Sequence, residues 1–337
     1  MVYSLLGVSF LFGIIATWLS IAFARKHGLV SYPNPIVPQH TSAVAYLGGV
    51  GIITGVAATF ILFLALKHLG FKTLPGLVMP SPPYIIGSVL FLALGVIDDL
   101  KVLKPAPKFA LQLLVTAIVI PSGLVGSFSG IRLLDMILSG LFVLTIINAM
   151  NFMDVCDGLV GGLAVIMLLF FAHFNSHNFA LTLVLAGACS GFLVFNLPPA
   201  KVFLGDAGSF LLGFILAAEA LSAISQRPLW SCLPAILLAL GVPLFELIFI
   251  TVIRIRKGLP WWKGSPDHFT LRLQARGLSR LKTDFIAWGA AALFCAGALL
   301  LPDLSLGEQL IMMCAVVILC AVSWRYLLRW EVNPHSQ

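Results

Sequence analysis

LLDMILSGLFVLTIINAMNFMDVCDGLVGGLAVIMLLFFAHF, residues 133–174, decides the class of this protein. An apolar run over 133–147 gives way to a short polar island, and a second apolar run follows over 159–174. The island holds two amides, Asn148 and Asn151, and two carboxylates three residues apart, Asp154 and Asp157. Around it, 60% of the 337 residues are hydrophobic and only 10% are charged, with a mean hydropathy of +1.06. That is more apolar surface than one soluble core hides, and the excess lies in blocks approaching the roughly 20 residues that cross a bilayer. The chain reads as an all-α polytopic membrane protein.

Working outward from the quoted stretch, eleven spans are expected, over residues 2–24, 43–66, 84–97, 109–124, 133–147, 159–174, 179–195, 209–224, 233–253, 285–301 and 310–327. The third, fifth and sixth have the least defined borders. Lys and Arg should collect in alternate loops on the cytoplasmic side. With the N-terminus outside and the C-terminus cytoplasmic, sixteen of the twenty basic residues do so, leaving Lys67, Lys72, Arg132 and Arg227 on the other side. The first span has no basic segment before it and no small-residue cleavage site, so it is read as a retained span and not a signal peptide. One integral domain over 1–330 is expected, with working loops at 98–108, 148–158, 196–209 and 254–283, and a short tail at 331–337.

The net charge of +7 is spread over loops that face lipid headgroups and cytoplasm, a pattern that speaks for membrane lipids and against nucleic acid. The six cysteines form no CxxC pair and mostly lie in apolar runs, as packing thiols do; Cys156 alone lies within the polar island.

The same topology puts the acids on one side. Asp98 and Asp99 end the third span, Asp154 and Asp157 follow the fifth, Asp206 follows the seventh, and Asp267 with His268 follows the ninth. A single interfacial Asp is commonly a helix cap. A pair at a helix C-terminus, as in GVIDDL, opposes the helix dipole and repels itself, so the set calls for a cation. Hard oxygen ligands suit Mg²⁺, which completes its shell with waters and phosphate oxygens. KVFLGDAGSFLLG, 201–213, is a second island, with glycines flanking Asp206 and Ser209 placed as an N-cap at a helix start suited to phosphate. In the long segment 254–282, His268, Arg272, Arg276 and Arg280 recur every four residues and form a basic stripe if that stretch is one helix.

GVIDDL, NAMNFMDVCDGL, KVFLGDAGSFLLG and SPDHFTLRL occur in this order, and the chain from about His40 to Arg280 resembles the polyprenyl-phosphate N-acetylhexosamine-1-phosphate transferases. The resemblance implies a Mg²⁺-dependent (or Mn²⁺-dependent) reaction at the bacterial inner membrane, with the site facing the cytoplasm. A UDP-N-acetylhexosamine and undecaprenyl phosphate would give a polyprenyl-pyrophosphoryl sugar and UMP, a first membrane step of a cell-envelope glycan. It assigns Asp206 as metal ligand and Asp98 with Asp99 to the acceptor phosphate. Asn151, Asp154 and Asp157, supported by Asn148, fall to the nucleotide pocket, Asn196 to uridine, His268 with Arg272 to the pyrophosphate, and Lys101 and Lys108 to substrate binding. A homodimer is compatible with it.

Three positions depart from the family pattern. Val102 stands where an Asp or Lys usually follows the acid pair, Val155 replaces a Gly between the paired Asp residues, and Thr270 and Leu271 leave His268 as the single histidine of the last motif. The last departure argues against the phospho-N-acetylmuramoyl-pentapeptide transferase branch, the alternative within the family. An ion-coupled transporter would need acids near mid-bilayer and an internal repeat; only Glu219 and Glu246 look embedded and no repeat is seen. A non-catalytic homologue is the remaining alternative.

Overall fold

A computed structural model describes residues 4–32, 43–70 and 79–330. Lys72, the start of the resemblance at His40 and the tail 331–337 lie outside the described residues. The chain is helical almost throughout: α1 (Ser4–Lys26), α2 (Gly48–His68), α3 (Pro82–Lys101), α4 (Pro105–Val119), α5 (Arg132–Met153), α6 (Leu159–Phe174), α7 (Phe179–Asn196), α8 (Gly205–Gln226), α9 (Leu229–Ala239), α10 (Gly241–Arg256), α11 (Phe269–Ala275), α12 (Arg280–Leu300) and α13 (Leu306–Leu328). Backbone groups in hydrocarbon must pair within their own segment, which is why apolar runs of this length become helices.

Among the described residues eight helices are long and apolar enough to cross a membrane, and α9 with α10 makes a ninth that is bent by 68°. The shorter apolar helices α4 and α6 complete the correspondence, so each of the eleven expected spans falls on a helix or on the bent pair. The expected borders are too short at the polar ends. α3 runs on through Asp98 and Asp99, and α5 through Asn148 and Asn151, so these side chains stand on regular helix and not in loops.

The core of the bundle is α8, buried along nearly its whole length against α3 and α5, whereas α13 buries only Gln309 and Leu327. Close approach of backbones, the packing mode of helices in lipid, is enforced at the end of the bundle that carries the acids. A Cβ on Gly95 would stand 2.4 Å from the backbone nitrogen of Ala207, so α3 lies directly against the first turn of α8. Two short strands, β1 (Val30–Ser31) and β2 (Val44–Ala45), pair antiparallel, and Phe203 donates its N–H to Ala45 O at 2.8 Å. This ties the α1–α2 connection to the segment that enters α8.

Candidate active site

Three elements bring the central cluster together: the C-terminal ends of α3 and α5 and the N-terminal turn of α8. Asp99 accepts the backbone N–H of Asp206 at 2.8 Å and of Ala207 at 3.1 Å, and so caps α8 from a helix more than a hundred residues away in sequence. Gly205 enters that turn with φ of +71°, and a Cβ there would sit 2.6 Å from Asp99 Oδ2. Only glycine satisfies both the left-handed backbone and the close carboxylate. The expected cap at Ser209 is therefore displaced. Helix α8 starts four residues earlier, Asp99 is its cap, and the N–H groups expected to be open to a phosphate are already taken.

Lys108, in the first turns of α4, places its ammonium 2.7 Å from Asp98 Oδ2 and 3.0 Å from Asp206 Oδ2. Asp98 is buried, and its other oxygen accepts the N–H of Leu103 at 2.7 Å. Asn151 donates from Nδ2 to Asp206 Oδ1 and, at 3.1 Å, to Ser209 Oγ. One α-helical turn back, Asn148 donates to Gln112 Oε1 at 2.9 Å, which locks α5 to α4. Asp154, just past α5, is held well above the usual carboxylate range by burial first and then by the negative charge of Asp206, Asp99 and Asp157. Lys101 is exposed at the end of α3, with no hydrogen bond or ion pair among the described residues.

The residues between α5 and α6 link this cluster to a second one. Asp157 Oδ2 accepts from Arg280 Nη1 at 2.8 Å and from the Ala200 N–H at 3.2 Å. Asn196 uses both ends of its amide, accepting the Gly158 N–H at 3.0 Å and donating to Val202 O at 2.8 Å. It thereby ties the Asp154–Gly158 turn to the segment before α8. Cys156 reaches Thr270 Oγ1 at 3.6 Å and accepts from Gln274 Nε2 at 3.1 Å. Burial pushes its thiol up to about 12, so it packs and does not react.

A third group surrounds α11. His268 Nδ1 lies 2.6 Å from Glu246 Oε1, and Glu246 Oε2 accepts the Phe269 N–H at 3.3 Å. The ring is thus oriented with Nε2 unclaimed by any described residue. Arg272 is 2% exposed, pairs with Asp267 at 2.7 Å and donates to the carbonyls of Leu327 and Trp330. It joins α11 to the end of α13 and has no surface to offer a phosphate. The expected basic stripe is not one helix. Helix α11 ends at Ala275, Gly277 takes a left-handed conformation with φ of +89°, and Arg280 begins α12.

The carboxylates bear on a divalent cation in a specific way. Among the described residues no three His, Cys, Asp or Glu side chains form a ready metal cage. Asp98 and Asp206 nevertheless share one ammonium, Lys108, and the negative charge of Asp206 also acts on Asp99 and Asp154. An open, anionic, all-oxygen set of this kind fits Mg²⁺, which takes one or two carboxylates and draws other ligands from phosphate and water. Asp206 and Asp154 are the residues that would hold it.

Residues 82–224 match the profile of glycosyl transferase family 4, a stretch running from the start of α3 almost to the end of α8 and containing Asp98, Asp99, Asp154, Asp157 and Asp206. A decaprenyl-phosphate N-acetylglucosaminephosphotransferase of Mycolicibacterium smegmatis is 32% identical over 320 residues, covering 82% of this chain and 77% of the relative. The chain belongs to glycosyl transferase family 4. It is also similar to an undecaprenyl-phosphate alpha-N-acetylglucosaminyl 1-phosphate transferase of Thermotoga maritima, 29% identical over 89% of both chains. A phospho-N-acetylmuramoyl-pentapeptide-transferase of Caldicellulosiruptor bescii is 29% identical over 89% of this chain and 97% of the relative.

In this family 4 chain the residue singled out by its lack of charge, Val102, has φ of +48° and is 84% exposed. Its N–H bonds back to Asp98 O at 2.7 Å, so its backbone closes α3 while its side chain stays clear of the acids. Gln112 and Asp284 belong to the site and carry no sequence signal. Each is a polar residue inside or at the border of an apolar run, and each matters only through partners remote in sequence.

Proposed function

We propose that this chain transfers an N-acetylhexosamine-1-phosphate from a UDP-sugar to undecaprenyl phosphate at the cytoplasmic face of the bacterial inner membrane, releasing UMP. The observation that carries the reading is the arrangement of Asp98, Asp206 and Lys108 from three different helices at one end of a membrane-spanning bundle, with Asp154 beside them. Such a place lets a phosphate on a lipid and a water-soluble nucleotide meet.

A phosphate oxygen of the acceptor attacks the sugar-linked phosphorus of the donor. The bond from that phosphorus to the UMP oxygen breaks, and the electron pair leaves with UMP. A phosphate monoester is already largely ionised at neutral pH, so the chain's task is positioning and charge neutralisation more than proton removal. Lys108, part-exposed between two carboxylates, presents an ammonium to an incoming phosphate, and Asp98 holds that ammonium in place. Asn151 fixes the carboxylate of Asp206, and Asp99 fixes its backbone. Asp157 and Asn196 shape the neighbouring turn for the nucleotide, and His268, oriented by Glu246, closes the far side. Mg²⁺, when bound, supplies the positive charge that offsets the donor's diphosphate.

The test is UMP release by the purified protein with undecaprenyl phosphate, Mg²⁺ and a panel of UDP-GlcNAc, UDP-GalNAc and UDP-MurNAc-pentapeptide. Release with one donor, dependent on the lipid phosphate, supports the reading and identifies the sugar. No release from folded protein across the panel removes it. Excess chelator is expected to stop turnover, and added Mg²⁺ or Mn²⁺ to restore it; undiminished activity in chelator would separate the carboxylates from any metal.

A further inference from the structure

Helices α12 and α13 are both long and apolar enough to cross the membrane, yet α13 buries only Gln309 near its start and Leu327 near its end, so its middle turns stand off the bundle. The space left over has a definite shape. A groove of about 720 Å³ runs between α10, α11, α12 and α13. Ala287 and Ala290 of α12 leave the room, and the rings of Phe245, Phe269 and Phe294 wall it. Leu293, on the same groove, is 74% exposed, so the groove opens sideways to the bilayer. An empty groove forfeits dispersion contacts along every wall, and in hydrocarbon the flexible molecules that fill it are lipid chains.

The end of the groove nearest the acids adds a charge. Arg276, one residue past α11, lines it, is exposed, and has no ion pair among the described residues. Its guanidinium stands 4.8 Å from the centre of the Trp330 ring, which also lines the groove. No carboxylate side chain lies on this surface among the described residues. A planar cation at the mouth of an apolar groove complements a phosphate joined to an acyl chain.

The groove is separate from the proposed transfer site. None of its residues comes from α3, α4, α5 or α8, the helices that carry Asp98, Lys108, Asn151 and Asp206. It meets that site at one point: Phe269 follows His268 in the chain and gives its N–H to the Glu246 that orients the His268 ring.

We propose that this groove seats one anionic phospholipid of the bilayer, with an acyl chain along Phe245, Ala290 and Phe294 and the phosphate on Arg276, and that the bound lipid braces α11 and with it His268. The seat is independent of the transferase reading, whereas the bracing of His268 rests on it.

The experiment is lipid binding by delipidated full-length protein, read by native mass spectrometry and thermal unfolding, with phosphatidylglycerol and phosphatidylcholine of the same acyl chains as probes. Wild type is expected to hold one phosphatidylglycerol per chain, about fivefold more tightly than phosphatidylcholine, the factor one basic residue supplies at a membrane surface, and to gain Tm on binding. Arg276→Gln should bring the two lipids level, and Ala290→Phe, which fills the groove, should release both. Lys26→Gln, at an exposed cation ending α1, should change neither. In vesicles of phosphatidylcholine, added phosphatidylglycerol should raise UMP release by wild type and leave Arg276→Gln unmoved. Equal binding of the two lipids by wild type, or undiminished preference in Arg276→Gln, would overturn the seat. So would displacement of phosphatidylglycerol by undecaprenyl phosphate at equal concentration, which gives the groove to the acceptor, or a lipid-free dimer that Ala290→Phe dissociates, which gives it to a second copy. Turnover in wild type that ignores phosphatidylglycerol would overturn the bracing. If no UDP-sugar is turned over in any vesicle, the transferase reading fails, while the binding measurements still decide the seat.

Discussion

Asp206→Asn is expected to lower turnover by about 10³-fold or more, equivalent to roughly 4 kcal/mol of transition-state stabilisation, with Tm within a few degrees of the wild type. The side chain is near-isosteric, and the oxygen of Asn can still accept from Asn151 Nδ2, so the packing of α8 against α5 survives. What is lost is the charge that Lys108 shares with Asp98 and that a divalent cation would meet. UMP release and thermal unfolding measured on the same preparation check this. Full activity in the variant would take Asp206 out of the metal role, whatever happens at Asp154.

A comparable effect is expected at Asp99, by a different route. Both of its oxygens accept backbone N–H groups at the start of α8, one of them belonging to Asp206. Asp99→Asn presents an NH₂ group to one of these donors and leaves a buried N–H unpaired. The cost is about 1–3 kcal/mol of stability. Since a displacement of about 1 Å can lower a rate by about 10²-fold, turnover should fall by at least that factor. Stability and rate should therefore fall together at Asp99, whereas at Asp206 the rate falls alone. If Asp99→Asn lowers Tm but leaves turnover intact, the cap holds the helix without aiming Asp206.

The bundle was legible because its signal is local: an uninterrupted apolar run becomes a helix wherever it lies. Direction is not local, and the span expected over 233–253 is instead two helices meeting at 68°, with Pro234 inside α9 and Pro243 in the first turn of α10. Hydropathy registers neither. The acids were legible as a set, since charge is rare here and their side of the bundle follows from span alternation. Their individual partners were not, because Asp99 and Asp206 meet only after the chain between them has folded. A spacing of four residues suggested one basic helix, but Gly277 ends it, and the arginines divide between a buried clamp at Arg272 and the Asp157 pair at Arg280. Asp284 stayed hidden at the head of an apolar run, a place where an Asp reads as an ordinary helix-start residue.

The left-handed turn at Val102 has a consequence for protein engineering. A β-branched residue in this conformation costs on the order of 1–2 kcal/mol relative to glycine or asparagine, yet the fold needs only its backbone to wrap Leu103 onto Asp98. The position is a stability reserve lying within a few residues of the acids: Val102→Gly or Val102→Asn would relax the chain without touching the chemistry, giving a hardier starting point for every variant described above.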